Sequence, residues 1–326
     1  EYMSVILAGN VVTHMYLGLN AVLRASGNPR KAMYATINTV LINTALNPLF
    51  IYGFGWGIRG SAIATVIAQV VSLVLQFRIL SDRRELMHFQ PGIYRLRRRL
   101  VRDMLAIGMS PFLMNLTACF IVILINKGLK TYGGDLMIGA YGIVNRLAFI
   151  FVMIVMGINQ GMQPIAGYNF GAQQYDRVLK VLRLTIVCAV CVTSSGFVVG
   201  EFMPHLAVSL FTTDEELVRL AADGMRIVFL CFPIIGFQMV ATNFFQSIGM
   251  AGKAIFMSLS RQLVFLLPGL LFLPRVFEAH TDWGGGWGVW CAMPLSDLLA
   301  TVVAFFMLTY QLRKFRAAMA ARSANE

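Results

Sequence analysis

The sequence predicts an all-α, polytopic membrane protein. Three observations carry that prediction. Of 326 residues 58% are hydrophobic and only 13% are charged; apolar runs of about 20 residues, the length that spans a bilayer, recur along nearly the whole chain; and the breaks between them are short and rich in helix-stopping residues. A soluble domain carries about twice that share of charge to coat its surface. The expected spans are 3–23, 33–53, 60–80, 104–126, 136–160, 184–203, 227–248, 254–274 and 288–311.

Taken in order, the breaks explain the elements. Gly27-Asn28-Pro29 stops the first span and starts the second, because glycine accepts the left-handed turn and proline suits the first helical position. Gly133-Gly134-Asp135 separates the fourth span from the fifth, and Gly284-Gly285-Gly286 precedes the ninth. Thr213-Asp214-Glu215-Glu216 has capping-box spacing ahead of a helix that leads into the seventh span. Pro48, Pro111, Pro164, Pro233, Pro268 and Pro294 fall within or at the ends of spans, where they break helices or are tolerated passively.

Orientation follows from lysine and arginine. The connections on one side hold 19 of them and those on the other hold 6, which places the C-terminus in the cytoplasm. The net charge of +12 is therefore read as a topology signal with headgroup contact, not as a nucleic-acid surface, and the cluster Arg95–Arg102 is its centre. All five cysteines lie in apolar runs, so the pair Cys188 and Cys191 reads as small hydrophobes rather than a metal or redox site.

The chain also repeats itself. Arg24-Ala25-Ser26-Gly27-Asn28-Pro29-Arg30-Lys31-Ala32 matches Gln246-Ser247-Ile248-Gly249-Met250-Ala251-Gly252-Lys253-Ala254 in its Gly, Lys and Ala positions, and Trp56-Gly57-Ile58 matches Trp287-Gly288-Val289. The first three spans thus pair with the last three in the same membrane sense. A second copy beginning near Met104 places the start of the first about 120 residues ahead of Glu1, so three further helices are expected there. The expected divisions are 1–80 for the remainder of an N-terminal lobe, 81–103 for a cytoplasmic basic linker, 104–311 for a C-terminal lobe and 312–326 for a cytoplasmic tail.

Several motifs resemble the multidrug and toxic compound extrusion (MATE) family of secondary transporters. They are Leu23-Arg24-Ala25-Ser26-Gly27-Asn28, Asn43-Thr44-Ala45-Leu46-Asn47-Pro48-Leu49-Phe50-Ile51, Gly60-Ser61-Ala62-Ile63-Ala64-Thr65, and the run Gly157 to Ala172, which is similar to the family's eighth-helix signature in its bacterial branch. The resemblance implies a two-lobe helical bundle with nine of twelve helices in this chain. It also implies exchange of organic cations for protons or sodium by alternating access, with no cofactor beyond that gradient. Many members hold a cation in the first lobe with an aspartate on helix one, an asparagine and an aspartate on helix five, and a threonine on helix six. The matching positions here are Asn43, Asn47 and Thr65. Asn47 stands where the pattern has aspartate, so these three supply no ionised oxygen.

A polar group inside a span must face a partner or a wet cavity, which ranks the candidates independently of family. Asn43 and Asn47 lie four apart on one helix face, and Asn47 and Thr65 sit at matching depths of roughly 9 and 8 Å from the outer ends of their spans. They serve either transport or helix packing. Asp297 and Arg146 lie deeper, at roughly 14 and 15 Å. Asp297 is expected to be a cavity carboxylate that exchanges a proton, paired with or gated by Arg146. Asn115, Gln160, Gln163, Asn243 and His14 complete the candidate substrate contacts, and Arg261 is expected to snorkel to the cytoplasmic interface without a role. The Met and Phe content supplies adaptable apolar walls.

The function expected is multidrug efflux by a monomer in the cell plasma (inner) membrane, with drugs, organic cations and the lipid bilayer as partners and no nucleic acid. A flippase of lipid-linked sugars from the same superfamily is the alternative. A membrane-embedded redox or enzyme subunit is disfavoured because histidines at 14, 88, 205 and 280 are scattered.

Overall fold

A computed structural model describes residues 2–82, 88–89, 97–281 and 284–323; most of the expected linker 81–103 and the end of the tail 312–326 lie outside the described residues. Among the described residues the structure is all helix and connection, without strands. The chain divides into two compact units, Glu1–Arg97 and Arg98–Glu326.

The first unit contains α1 (Tyr2–Ala25), α2 (Pro29–Pro48) and α3 (Gly57–Ser81). Residues Gly60, Ala64, Ala68, Ser72 and Gln76 recur every four positions along α3 and all are buried. Small side chains at that spacing let neighbouring helices approach closely. Gly9 brings α1 so near that a Cβ there would lie 2.5 Å from Val66 Cγ2. The second expected span is α2 together with a π-helical segment, Leu49–Gly53, that follows Pro48. It is less apolar than its neighbours, since Thr36, Thr39, Asn43, Thr44 and Asn47 interrupt it.

The second unit begins with α4 (Arg98–Gly171), whose one non-helical residue is Gly134, at φ +71°. Its apolar stretch from Pro111 spans 61 residues; at about 1.5 Å per residue that is roughly three times a bilayer's hydrocarbon thickness, so the fourth and fifth expected spans meet at Gly134 alone. Then follow α5 (Tyr175–Phe202), the short α6 (Pro204–Ser209), α7 (Glu215–Phe229), α8 (Phe232–Ser247), α9 (Ala251–Leu259), a π-helical segment Ser260–Leu266, α10 (Leu267–His280) and α11 (Gly285–Ser323). Among the described residues six helices are long and apolar enough to cross a membrane, and α7 with α8, bent by 52° at their junction, makes a seventh candidate. Two apolar clusters hold this unit together. One is built around Trp290, Phe229 and Phe232 and the other around Phe244, Phe245 and Phe315. Large apolar side chains such as Val187, Phe305 and Phe306 point outward, as lipid-facing residues do.

One local expectation changes, and one pair of alternatives is decided. The cap of α7 is Asp214, not the threonine before it: its carboxylate accepts the backbone N–H of Glu216 at 3.0 Å and of Leu217 at 3.3 Å. A carboxylate suits a helix N-terminus better than a hydroxyl. Pro164 does not end its helix, because α4 continues seven residues further to Gly171; proline is tolerated inside membrane helices when neighbours meet the freed carbonyl.

Candidate functional site

Within the first unit, Asn43, Asn47 and Thr65 come together. Asn47 Nδ2 donates to Asn43 Oδ1 at 2.8 Å, Asn43 Nδ2 donates to Thr65 Oγ1 at 3.0 Å, and Thr65 Oγ1 donates to the carbonyl of Ser61 at 3.0 Å. Each link is a neutral bond between half-buried groups. The chain of donors starts at a residue whose own carbonyl oxygen, Asn47 Oδ1, is buried without a partner. The network continues along the helices. Thr39 Oγ1 donates to Ser72 Oγ at 2.6 Å, Thr13 Oγ1 donates to Gln69 Oε1 at 2.6 Å, and Asn20 Nδ2 donates to the Ala32 carbonyl at 3.0 Å. Gln76 is 0% exposed and neither of its amide atoms has a partner. Sequence reasoning passed over these residues, although Thr36, Thr39, Asn43 and Asn47 on α2 and Thr65, Gln69, Ser72 and Gln76 on α3 follow three- and four-residue spacing that puts each set on one face. His14 is exposed on α1 and stands apart from the network.

In the second unit, Gln163 Nε2 donates to Asn243 Oδ1 at 3.3 Å, joining α4 to α8, and Asn243 Nδ2 donates to the Met239 carbonyl at 2.9 Å. One turn earlier on α4, Asn159 is 2% exposed with both side-chain polar atoms unpartnered. Asn115 and Gln160 are exposed, and Asn115 Nδ2 folds back onto the Pro111 carbonyl at 2.9 Å.

The charged centre differs from expectation. Asp297, 5% exposed on α11, is paired with Arg261, whose Nε donates to Oδ1 at 2.6 Å. Arg146 is exposed on α4 and is not the partner. Nor does Arg261 simply snorkel. The physical reason lies in the π-helical segment Ser260–Leu266, which contains Arg261 and packs against α11. A π turn holds more residues than an α turn, so side-chain directions read with a 3.6-residue period fail there. Thr301 Oγ1 donates to the Asp297 carbonyl at 2.7 Å. Cys231, at the bend between α7 and α8, lies within electrostatic reach of the same carboxylate. Two departures from straight α-helix, the α7–α8 bend and the π segment, thus belong to elements packed against α11, which itself carries Pro294 one turn before Asp297.

Long apolar helices enclosing buried amides and, among the described residues, the internal Arg261–Asp297 pair define a polytopic membrane protein. The family comparison makes that specific: the MatE family model matches residues 108–270, half of the chain, and the chain belongs to this family of membrane transporters. It is 25% identical over 317 residues to a multidrug export protein MepA of Staphylococcus aureus, covering 96% of this chain and 67% of that protein. A MepA of Staphylococcus haemolyticus is 25% identical over 313 residues, with the same coverage. Among solved structures, a MATE protein in complex with MaL6 superposes with a TM-score of 0.85 at 22% identity, covering 97% of this chain and 70% of that one. An outward-facing multidrug resistance MATE transporter of the MOP superfamily gives 0.86 at 21% identity, again covering 97% and 70%.

Proposed function

We propose that the protein is a multidrug exporter that moves amphipathic organic cations across the cell membrane in exchange for protons or sodium by alternating access. The observation that carries this reading is Asp297, a carboxylate 5% exposed within a membrane helix, in a chain that belongs to the MATE family. A buried charge in a span is costly and marks a pathway for ions or substrate. Relatives along nearly the whole chain are multidrug export proteins, which supports the cargo class. In this reading Asn43, Asn47 and Thr65 offer neutral oxygens to the travelling cation, and Gln163 and Asn243 line its path. The protein works as a monomer with a cytoplasmic C-terminus in the plasma (inner) membrane, with 1–80 belonging to an N-terminal lobe, 104–311 forming a C-terminal lobe and 81–103 linking them. A lipid-linked sugar cargo is less favoured, because Arg261 is already neutralised by Asp297.

The test is ethidium efflux from vesicles under an imposed proton or sodium gradient. Efflux driven by either gradient, and abolished in Asp297→Asn, is the expected result. Absence of gradient-dependent efflux with the native protein rejects the exporter reading.

A further inference from the structure

The Arg261–Asp297 contact is built to be exchanged. Arginine binds a carboxylate most firmly through two parallel bonds from its planar fork. Here, among the described residues, the bond runs through Nε alone, at 2.6 Å. The two partners are unequally enclosed: the Arg261 side chain is 34% exposed and that of Asp297 only 7%. The cation therefore has a route out of the contact without unpacking the surrounding core, whereas the anion does not. Arginine stays protonated in a protein, so its departure leaves Asp297 needing another positive charge. The helix that carries Arg261 is locally π-helical, a form in which one register shift redirects a side chain. On that same π segment Gln262 Oε1 is also buried without a partner.

We propose that Asp297 is the binding carboxylate for a singly charged, amphipathic organic cation, and that Arg261 is a tethered competitor occupying the place until such a cation arrives. This deepens the exporter reading and rests on it. The site is selective for charge, because a neutral guest cannot replace the arginine. Its apparent affinity is set by how often Arg261 leaves.

The experiment measures binding of tetraphenylphosphonium to the purified protein in lipid nanodiscs. Removing the competitor in Arg261→Gln is expected to tighten binding at least tenfold, as follows when no more than about one molecule in ten otherwise presents a free carboxylate. Asp297→Asn loses binding, and the double variant behaves as Asp297→Asn does. Unchanged or weakened binding by folded Arg261→Gln overturns the proposal. Should that variant not fold, the reporter is Cys231 in protein carrying Cys119→Ala, Cys188→Ala, Cys191→Ala and Cys291→Ala. Saturating tetraphenylphosphonium is expected to slow its modification by N-ethylmaleimide, and to have no effect once Asp297→Asn is added; a rate indifferent to the cation in both overturns the proposal. Native efflux that persists while these results fail removes this inference alone, whereas loss of native gradient-driven efflux removes the exporter reading beneath it.

Discussion

The two units share a local frame and differ in what they place on it. At the end of α1, Gly27 has φ +85°, its N–H bonds to the Arg24 carbonyl, and the Asn28 N–H reaches back to Leu23 at 3.2 Å. At the end of α8, Gly249 has φ +77°, its N–H bonds to the Gln246 carbonyl, and the Met250 N–H reaches back to Phe245 at 2.9 Å. Both turns are the same glycine-ended helix stop, 222 residues apart. Near the start of the third helix of each set, a glycine is pressed against a carbonyl of the helix before it: a Cβ on Gly60 would meet Phe50 O at 2.8 Å, and one on Gly288 would meet Leu273 O at 2.7 Å. Yet the first unit joins its helices with Asn43, Asn47 and Thr65, all neutral, and the second does so with the ion pair Arg261–Asp297. The two units thus share these turns and close contacts while their polar interiors differ. Of these two sites only the second has a charge that a cation or proton can change.

The largest effect expected from breaking that contrast is on stability. Arg261→Ala with Asp297 retained strands a buried carboxylate and should cost about 3 kcal/mol, the low end for a buried pair because Arg261 is partly exposed. Asp297→Asn should cost less, since the freed guanidinium can turn outward, and the double variant should lie close to the native protein. Equilibrium unfolding in mixed micelles reads all three; additive losses would show that the two residues do not act as a pair.

Next in size is Asn47→Asp, which makes the first unit resemble the charged pattern of many family members. The Asn47 amide now donates to Asn43 Oδ1 at 2.8 Å. Replacing it by a carboxylate sets two acceptors face to face, at a cost of about 2 kcal/mol unless a proton or metal cation bridges them. The thermal midpoint of the variant should therefore rise with added sodium while that of the native protein stays flat. A flat response in both would mean that the network rearranges and holds no cation.

How far the sequence reached explains where such experiments are needed. The helices were legible because a span needs about 20 apolar residues whatever its sequence, and Asn43 with Asn47 was legible because a four-residue spacing has one meaning on an α-helix. The pairing of Asp297 was not. Depth along two straight helices pointed to Arg146, and the π segment around Arg261, which no composition signal announces, changed the answer. Asn159 and Gln76 were missed for another reason. Asn159 lies beside Gln160 and Gln76 ends the polar face of α3, and only packing shows that each amide is buried without a partner.

A smaller test addresses the shared frame. Gly27→Ala and Gly249→Ala each force a Cβ into the left-handed region, at a cost of about 1 kcal/mol. Neither glycine has a neighbour within 4 Å of that Cβ, so conformation alone sets the loss. The two variants should fall by equal amounts in thermal unfolding. A clear inequality would show that the matching turns are under different load in the two units.

The smallest effect decides what the neutral network is for. Thr65→Val keeps the shape of the side chain and removes the acceptor of Asn43 Nδ2, along with the donor to the Ser61 carbonyl. Polar contacts between membrane helices average about 0.6 kcal/mol, so unfolding should shift only slightly. If the network only packs α2 against α3, efflux should fall no more than stability does. A transport role requires the opposite pattern, with near-native unfolding but a several-fold lower rate of gradient-driven ethidium efflux, because a cation passing Asn43 and Asn47 would lose one of its oxygens. We expect the second pattern, since Asn47 Oδ1 is left buried without a donor and a network made only for packing has no reason to keep an unused acceptor inside the membrane.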